Sequence, residues 1–549
     1  MAKGNGHDHG TARAQLARRL MQLAPRQRLD ALIEGADARG LVRAVPAEDL
    51  YLAIAEVGLA DAVEVVQLAS PEQFRTCVDL AAWKANALAP LQVLAWLRAA
   101  RGEDTGDFLR KVHFIDQEVL EIVLRSLTVM HDLEENPDVN PPGVTMETPE
   151  GRYLIELKAE GLDLVALKGL VSDLVAENPL EATRLFEAVR WEMPSELEEI
   201  ALHFRSGRLA DLGFPDPAEA AELFTYVDPE KLAPAPRPAP GPALEAARRV
   251  DFVEAAFQGL DSGEAEALTQ ELRYLVNSAL VAERAEPGDP AALRWVTELT
   301  RDYLSLGLEH LSGGDSEFAT DAIREHPAKK CFQVGFSLTV TLKRQADRLG
   351  HVKGARHGAV WWALDDEAAA LEALQRPRPM KAVKVEGADP VPFRTRRELA
   401  EARQLLGRVE RQREVFAALS GGDWEAVLAR FGGVLTPGAP ERLFLAAAAW
   451  ALLDGEPRLS PVPEGRLVEL FERLFEGDAA APKLRPAALE RSAKAIAARV
   501  GAEAQPEAGL MVARVFERLL AELGPAYLAE GRVDPKTILS LPVAGQAFL

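Results

Sequence analysis

The chain has 549 residues, 48% of them hydrophobic but only 6% aromatic, and a formal net charge of −22 at pH 7. That length supports several domains with full cores, and an Ala- and Leu-rich apolar fraction favours helix. The acidic balance excludes a protein that holds nucleic acid through a broad basic footprint, and it repels anionic lipid surfaces. Cys77 and Cys331 are the two cysteines, far apart and outside any CxxC pattern. They exclude a disulfide framework and a cysteine zinc site, and they fit a reducing cytoplasm.

The start, MAKGNGHDHG, is polar and glycine-rich. It lacks the apolar stretch of a secretory signal and reads as a disordered tail whose His7 and His9 hold no metal. Thr11 to Leu23 reads as a short basic helix with Leu16, Leu20 and Leu23 on one side; tail and helix together span residues 1–28. From Leu29 to Val129 the text becomes repetitive. Openings at Pro46, Pro71, Pro90 and Asp116 fall roughly 20–25 residues apart, each followed by acids or amides and an apolar helical run. Such units cannot bury their apolar faces alone and must stack on neighbours. The expected fold is all-α, stacked helical hairpins forming a superhelical N-terminal domain over residues 29–232. His131 to Gly151 reads as a turn-rich connection, with helices resuming near Tyr153.

Ala182 to Phe224 is the most site-like run. Ser195 and Glu198 have the spacing of a capping box, as do Asp216 and Glu219, with Pro217 at a first helical position. Leu197, Ile200, Ala201 and Phe204 recur at helical spacing as one buried face. The charges Arg184, Glu187, Arg190, Glu198, Arg205, Arg208 and Asp211 then read as a ridge on the outside, a candidate surface for a protein partner.

The run Pro46 to Gln73, PAEDLYLAIAEVGLADAVEVVQLASPEQ, resembles the superhelical cytoplasmic N domain of MgtE-type magnesium transporters over about 100 residues. The chain lacks that family's membrane spans, so transport is not implied; a divalent-cation-sensing module is. Asn178 to Phe224, NPLEATRLFEAVRWEMPSELEEIALHFRSGRLADLGFPDPAEAAELF, is similar to a family of uncharacterised bacterial proteins known only as a domain of unknown function. That likeness covers most of the length and implies a helical fold with no established activity.

Leu232 to Ala243, LAPAPRPAPGPA, is proline-dense and reads as a semi-rigid linker (233–243) before a second helical domain, 244–376. Within it, Val334, Phe336, Leu338, Val340 and Leu342 alternate like a strand, while Phe332, Phe336 and Val340 keep helical spacing. The helical surroundings favour a buried helix. Lys343, Arg344, Arg348, Lys353 and Arg356, followed by Trp361 and Trp362, form the best anion-binding candidate, although a basic face paired with this chain's own carboxylates is the simpler reading. A second linker, 377–396, precedes a C-terminal helical domain, 397–549. Its apolar run Leu443–Leu453 is about half a membrane span and reads as a buried helix. LSGGD occurs at Leu311–Asp315 and Leu419–Asp423, like the signature of ABC transporter ATPases. With no GxxxxGK[ST] loop, it reads as a helix-closing glycine followed by a capping Asp. Thr537 to Leu549 is apolar enough to dock on its own domain.

No HExxH, GxSxG or dinucleotide fingerprint is present, and no cofactor is implied. The chain therefore reads as a cytoplasmic, non-catalytic scaffold or regulatory adaptor. A cation-sensing module and an enzyme whose site is assembled from distant helices are the alternatives.

Overall fold

A computed structural model describes residues 25–34, 37–84, 86–233, 251–285, 289–349, 362–383, 388–422, 427, 438–476, 482–529 and 538–544. Helices dominate. The chain divides into two compact units, one of residues 1–223 with 266–300, the other of 224–265 with 301–549.

The first unit begins with α1 (Pro25–Ile33), α2 (Ala38–Ala44), α3 (Ala47–Val57), α4 (Val63–Leu68) and α5 (Pro71–Ala81). A two-residue-per-strand hairpin, β1 (Trp83–Lys84) and β2 (Ala87–Leu88), leads to α6 (Pro90–Ala100), α7 (Thr105–Phe114) and α8 (Gln117–Leu127). Each helix packs on the next but one: α1 on α3, α2 on α4, and so on to α6 on α8. Local chemistry sets the starts. Ser70 and Gln73 complete a capping box at α5, with Pro71 at the first helical position where its missing N–H is not needed. The buried Gln73 amide then donates to the Val42 and Val45 carbonyls at 2.9 and 2.7 Å. One side chain thereby closes its own helix and caps the end of α2. Tyr51, Phe74 and Trp96 meet in the core, Trp96 lying 6.3 and 6.4 Å from the other two ring centroids. Burying each such ring contributes on the order of 2–3 kcal/mol.

The stretch read as a turn-rich connection holds a sheet instead. β3 (Thr128–Asp132), β4 (Val144–Glu147) and β5 (Tyr153–Leu157) form a three-stranded antiparallel sheet with β5 in the middle. Helices resume at Gly161 rather than near Tyr153. The strands alternate cleanly, Tyr153, Ile155 and Leu157 buried and Leu154 and Glu156 less so, but five residues of period two are easily lost beside long helices. After the sheet come α9 (Gly161–Glu177), α10 (Pro179–Trp191), α11 (Pro194–Asp211) and the short α12 (Pro217–Ala221). α10 and α11 both pack on α8.

α13 (Phe252–Gln258), α14 (Ser262–Ala282), α15 (Pro290–Leu311) and α16 (Ala319–Glu325) lead to α17 (Ala328–Leu349), which settles the ambiguous alternation in favour of helix. Phe332, Val334, Phe336, Leu338 and Leu342 are all buried there. Residues 331–342 are buried or half-buried on every side, so no exposed polar face marks the helical period there, which is why a period of two could be read into it. α15 and α17 cross backbone to backbone: a Cβ on Gly307 would sit 1.8 Å from the Cys331 carbonyl oxygen, and one on Gly335 would sit 1.9 Å from that of Tyr303. Beside the crossing, Phe224 packs edge-on against Tyr303, Phe332 and Phe336.

The second unit continues with α18 (Asp365–Gln375), α19 (Arg396–Ser420), α20 (Ala439–Asp454), α21 (Leu467–Leu474), the hairpin β6 (Phe475–Glu476) and β7 (Lys483–Leu484), α22 (Pro486–Ala497) and α23 (Gln505–Ala529). Between α18 and α19, Met380 and Phe393 are buried and Lys381 pairs with Val391. Leu399, Leu406, Val409 and Phe416 form the buried side of α19, which packs on α17 and α23. α20 contains Leu443–Leu453 and buries all of it. Among the described residues no helix is long and apolar enough to cross a membrane. Both LSGGD runs close helices. Gly313, Gly314, Gly421 and Gly422 have positive φ, and Asp315 caps the next turn through the Glu317 amide at 3.0 Å; Asp423 lies outside the described residues. Residues 538–544 dock as expected, with Ile538, Leu541 and Val543 buried and Val462 bridged to Val543. The N-terminal tail and its basic helix, with His7 and His9, lie outside the described residues.

Candidate functional site

The seven charged residues expected to form one ridge occupy three settings, all in the first unit. α10 carries the first. Its helical period turns Ala182, Leu185, Phe186 and Val189 inward and leaves Glu187 and Arg190 beside the sheet, where strand register sets Asp132 opposite Tyr153. Arg190 donates to Asp132 at 2.9 Å and to Glu135 at 2.6 Å. Arg152 donates to Glu187 at 2.6 Å, and the Tyr153 hydroxyl and Trp191 indole donate to the same carboxylate. Burial, reinforced by the Glu187 carboxylate, pushes the Tyr153 hydroxyl up to about 12, so it stays a donor at neutral pH. The lattice ties α10 to the sheet. Arg184 stands apart, exposed and paired with Glu181 at 2.7 Å, a contact worth a few tenths of a kcal/mol.

The inner face of α11 holds the second setting. Arg208 grips two carboxylates at once: Asp79 at 2.7 and 2.9 Å and Asp116 at 3.0 and 2.6 Å. Burial alone would lower its pKa, but those hydrogen bonds and charges outweigh it and raise it, keeping the guanidinium charged. One arginine thus joins α11 to the end of α5 and the start of α8. Arg205 is buried, donates from Nε to the Asp79 carbonyl at 2.8 Å, and lies 5.1 Å above the Trp83 ring. The third setting is solvent. Glu198 and Asp211 are exposed and join no ion pair among the described residues.

The outer face of α11 departs from the sequence reading. Leu197 and Ala201 are buried as expected, but Ile200 and Phe204 are 41% and 46% exposed, and the preceding Trp191 and Met193 are 68% and 58% exposed. The expected capping box at Ser195 is also absent: the helix starts at Pro194, and Met193 occupies the cap position without a side-chain bond. Asp216 does cap its helix, accepting from Ala218 and Glu219 at 2.8 and 3.1 Å. Glu192, Glu196, Glu198 and Glu199, all exposed, are interleaved along the chain with the exposed apolar residues.

A family model described as a family of unknown function, DUF6178, matches residues 6–544. The chain belongs to this family. No curated protein and no solved structure matches it. In this DUF6178 chain, sequence reasoning missed Asp132, Arg152 and Tyr153 because the sheet was missed, and missed Asp79 and Asp116 as partners of Arg208 because they are 129 and 92 residues away.

The basic run of the DUF6178 chain lies in the second unit, where the side chains of Lys343 and Arg344 meet partners of that unit. Lys343 donates to the Gln375 carbonyl at 2.8 Å, with Asp347 at 3.6 Å. The Arg344 guanidinium stacks 3.9 Å over Tyr226, and the Arg348 carbonyl accepts from Arg413. Lys353, Arg356 and Trp361 lie outside the described residues. Among the described residues, no three His, Cys, Asp or Glu side chains gather as a metal site.

Proposed function

We propose that the first unit is a cytoplasmic protein-binding scaffold, and that the α10–α11 corner is where a partner docks. One observation carries this reading. Seven of the thirteen large apolar side chains exposed among the described residues fall between Leu162 and Phe204, and four of them sit on the run from Trp191 to Phe204. A concentration of this kind marks interaction surfaces, whereas singly scattered exposed apolar residues carry no such meaning. The interleaved carboxylates of Glu192, Glu196, Glu198 and Glu199 favour a partner that flanks an apolar anchor with Lys or Arg. Trp191 is held ready by its indole bond to Glu187 at 3.2 Å, which lowers the ordering cost of binding. The next-but-one stacking of α1 to α8 supports a helical-repeat scaffold, and the likeness of Pro46–Gln73 to the magnesium-transporter N domain belongs with it.

The test is quantitative affinity purification of the full chain against a Trp191→Ser, Phe204→Asp double variant. A partner recovered with the parent chain, released by raised salt and lost from the double variant at unchanged melting temperature supports the proposal. An identical recovered set with both chains overturns it.

A further inference from the structure

Arg205 is a buried cation in an unusual position. Both oxygens of the nearest carboxylate, Asp79, are engaged by Arg208. Arg205 is left with one hydrogen bond, to a backbone carbonyl, and no carboxylate bonds it among the described residues. Buried guanidinium groups normally meet a carboxylate or comparable anion, because an unmatched buried charge is costly. The aromatic ring that Arg205 covers belongs to Trp83, which is 4% exposed, and its indole N–H is buried without an acceptor. An N–H in this state has lost its water without gaining an acceptor. Two adjacent side chains, one from β1 and one from α11, thus offer donors with no carboxylate between them: the Trp83 indole N–H has no acceptor, and Arg205 has only the Asp79 carbonyl. Burial also pulls the Arg205 guanidinium down to about 10, a shift that a bound anion would relieve.

We propose that Arg205 and Trp83 form a binding site for a small carboxylate, with the guanidinium and the indole N–H as its donors. The planar guanidinium edge matches the two oxygens of a carboxylate. The near-complete burial of both residues restricts the ligand to a small anion or the tip of an acidic side chain. The site does not depend on the docking corner: Ile200 and Phe204 face solvent on α11, whereas Arg205 is buried.

The full chain labelled with 5-fluorotryptophan tests this. Its eight tryptophans give separate fluorine resonances, and Trp83→Phe identifies one by its loss while retaining an aromatic ring for Arg205 to cover. Sodium formate is titrated against sodium chloride at equal ionic strength. The expected result is a saturable shift of the Trp83 resonance with formate alone, and an apparent affinity at least about tenfold weaker in Arg205→Lys, which keeps the charge but loses the fork. The other seven resonances report whether each variant stays folded. A Trp83 resonance that ignores formate, follows chloride equally, or responds undiminished in a folded Arg205→Lys chain overturns the site.

Discussion

Four residues of α11 exchange their expected roles, while Leu197 and Ala201 keep theirs. Arg205 and Arg208, which look like surface charge in the sequence, turn inward onto Asp79, Asp116 and Trp83. Ile200 and Phe204, which look like core, point outward. A helical stripe identifies residues that share a side; it does not say which side another element will cover. Here the end of α5, the start of α8 and the β1–β2 hairpin present two carboxylates and an indole, and that chemistry selects the arginine side of α11. Leu197 and Ala201 are buried on the same side as Arg205, and Ile200 and Phe204 are left for solvent or a partner.

The contrast can be broken from the inside first. Arg208→Met strands two largely buried carboxylates and is expected to cost about 3–5 kcal/mol, the range for removing one partner from a buried ion cluster; chemical denaturation measures it. A methionine variant as stable as the parent would mean the inward face is held by apolar packing alone. Elsewhere in the same unit, the buried Lys111 ammonium donates to Asp107 at 2.8 Å and to the Gln67 carbonyl at 2.6 Å. Lys111→Met leaves Asp107 to the neighbouring arginines, Arg110 closest at 2.8 Å, and is expected to cost about 2 kcal/mol.

That pair also sets a pH response. Burial pushes the Asp107 carboxyl up, but the Lys111 and Arg110 hydrogen bonds prevail and hold it at about 2. A carboxyl lowered in the folded state stabilises above its unfolded value, near about 3.9, and that stabilisation is lost as pH falls toward the folded value. Asp107→Asn should therefore flatten the loss of melting temperature between pH 4 and 2. An unaltered acid limb would assign the loss to other carboxylates. The smallest effect belongs to the outer face: Phe204→Ser is expected to change stability by less than about 0.5 kcal/mol. A large loss would show that the exposed ring is structural after all and would weaken the docking proposal.

Much of the helical fold is legible in the sequence, because it rests on local devices. Ser70, Pro71 and Gln73 announce a helix start within four residues, and the Leu443–Leu453 run identifies its own burial. The three-stranded sheet is not legible, since β3 and β5 pair across more than twenty residues with only five-residue alternations to mark them. The same distance problem hides the site. The charge set at Arg184–Asp211 is visible as a set, but nothing near Arg208 in sequence points to Asp79 or Asp116. Nothing near Arg205 points to Trp83.

The Gly307–Gly335 crossing has a consequence for altering the protein. Where bulky side chains separate two helices, the gap can be adjusted by trimming one and enlarging the other. Here each missing Cβ is replaced by a carbonyl oxygen of the opposite helix, so even alanine must move backbone. The crossing behaves as a hard stop with no graded settings. Grafts, truncations or recoded versions of the second unit can vary the sequence around these two positions, but must leave the glycines themselves in place.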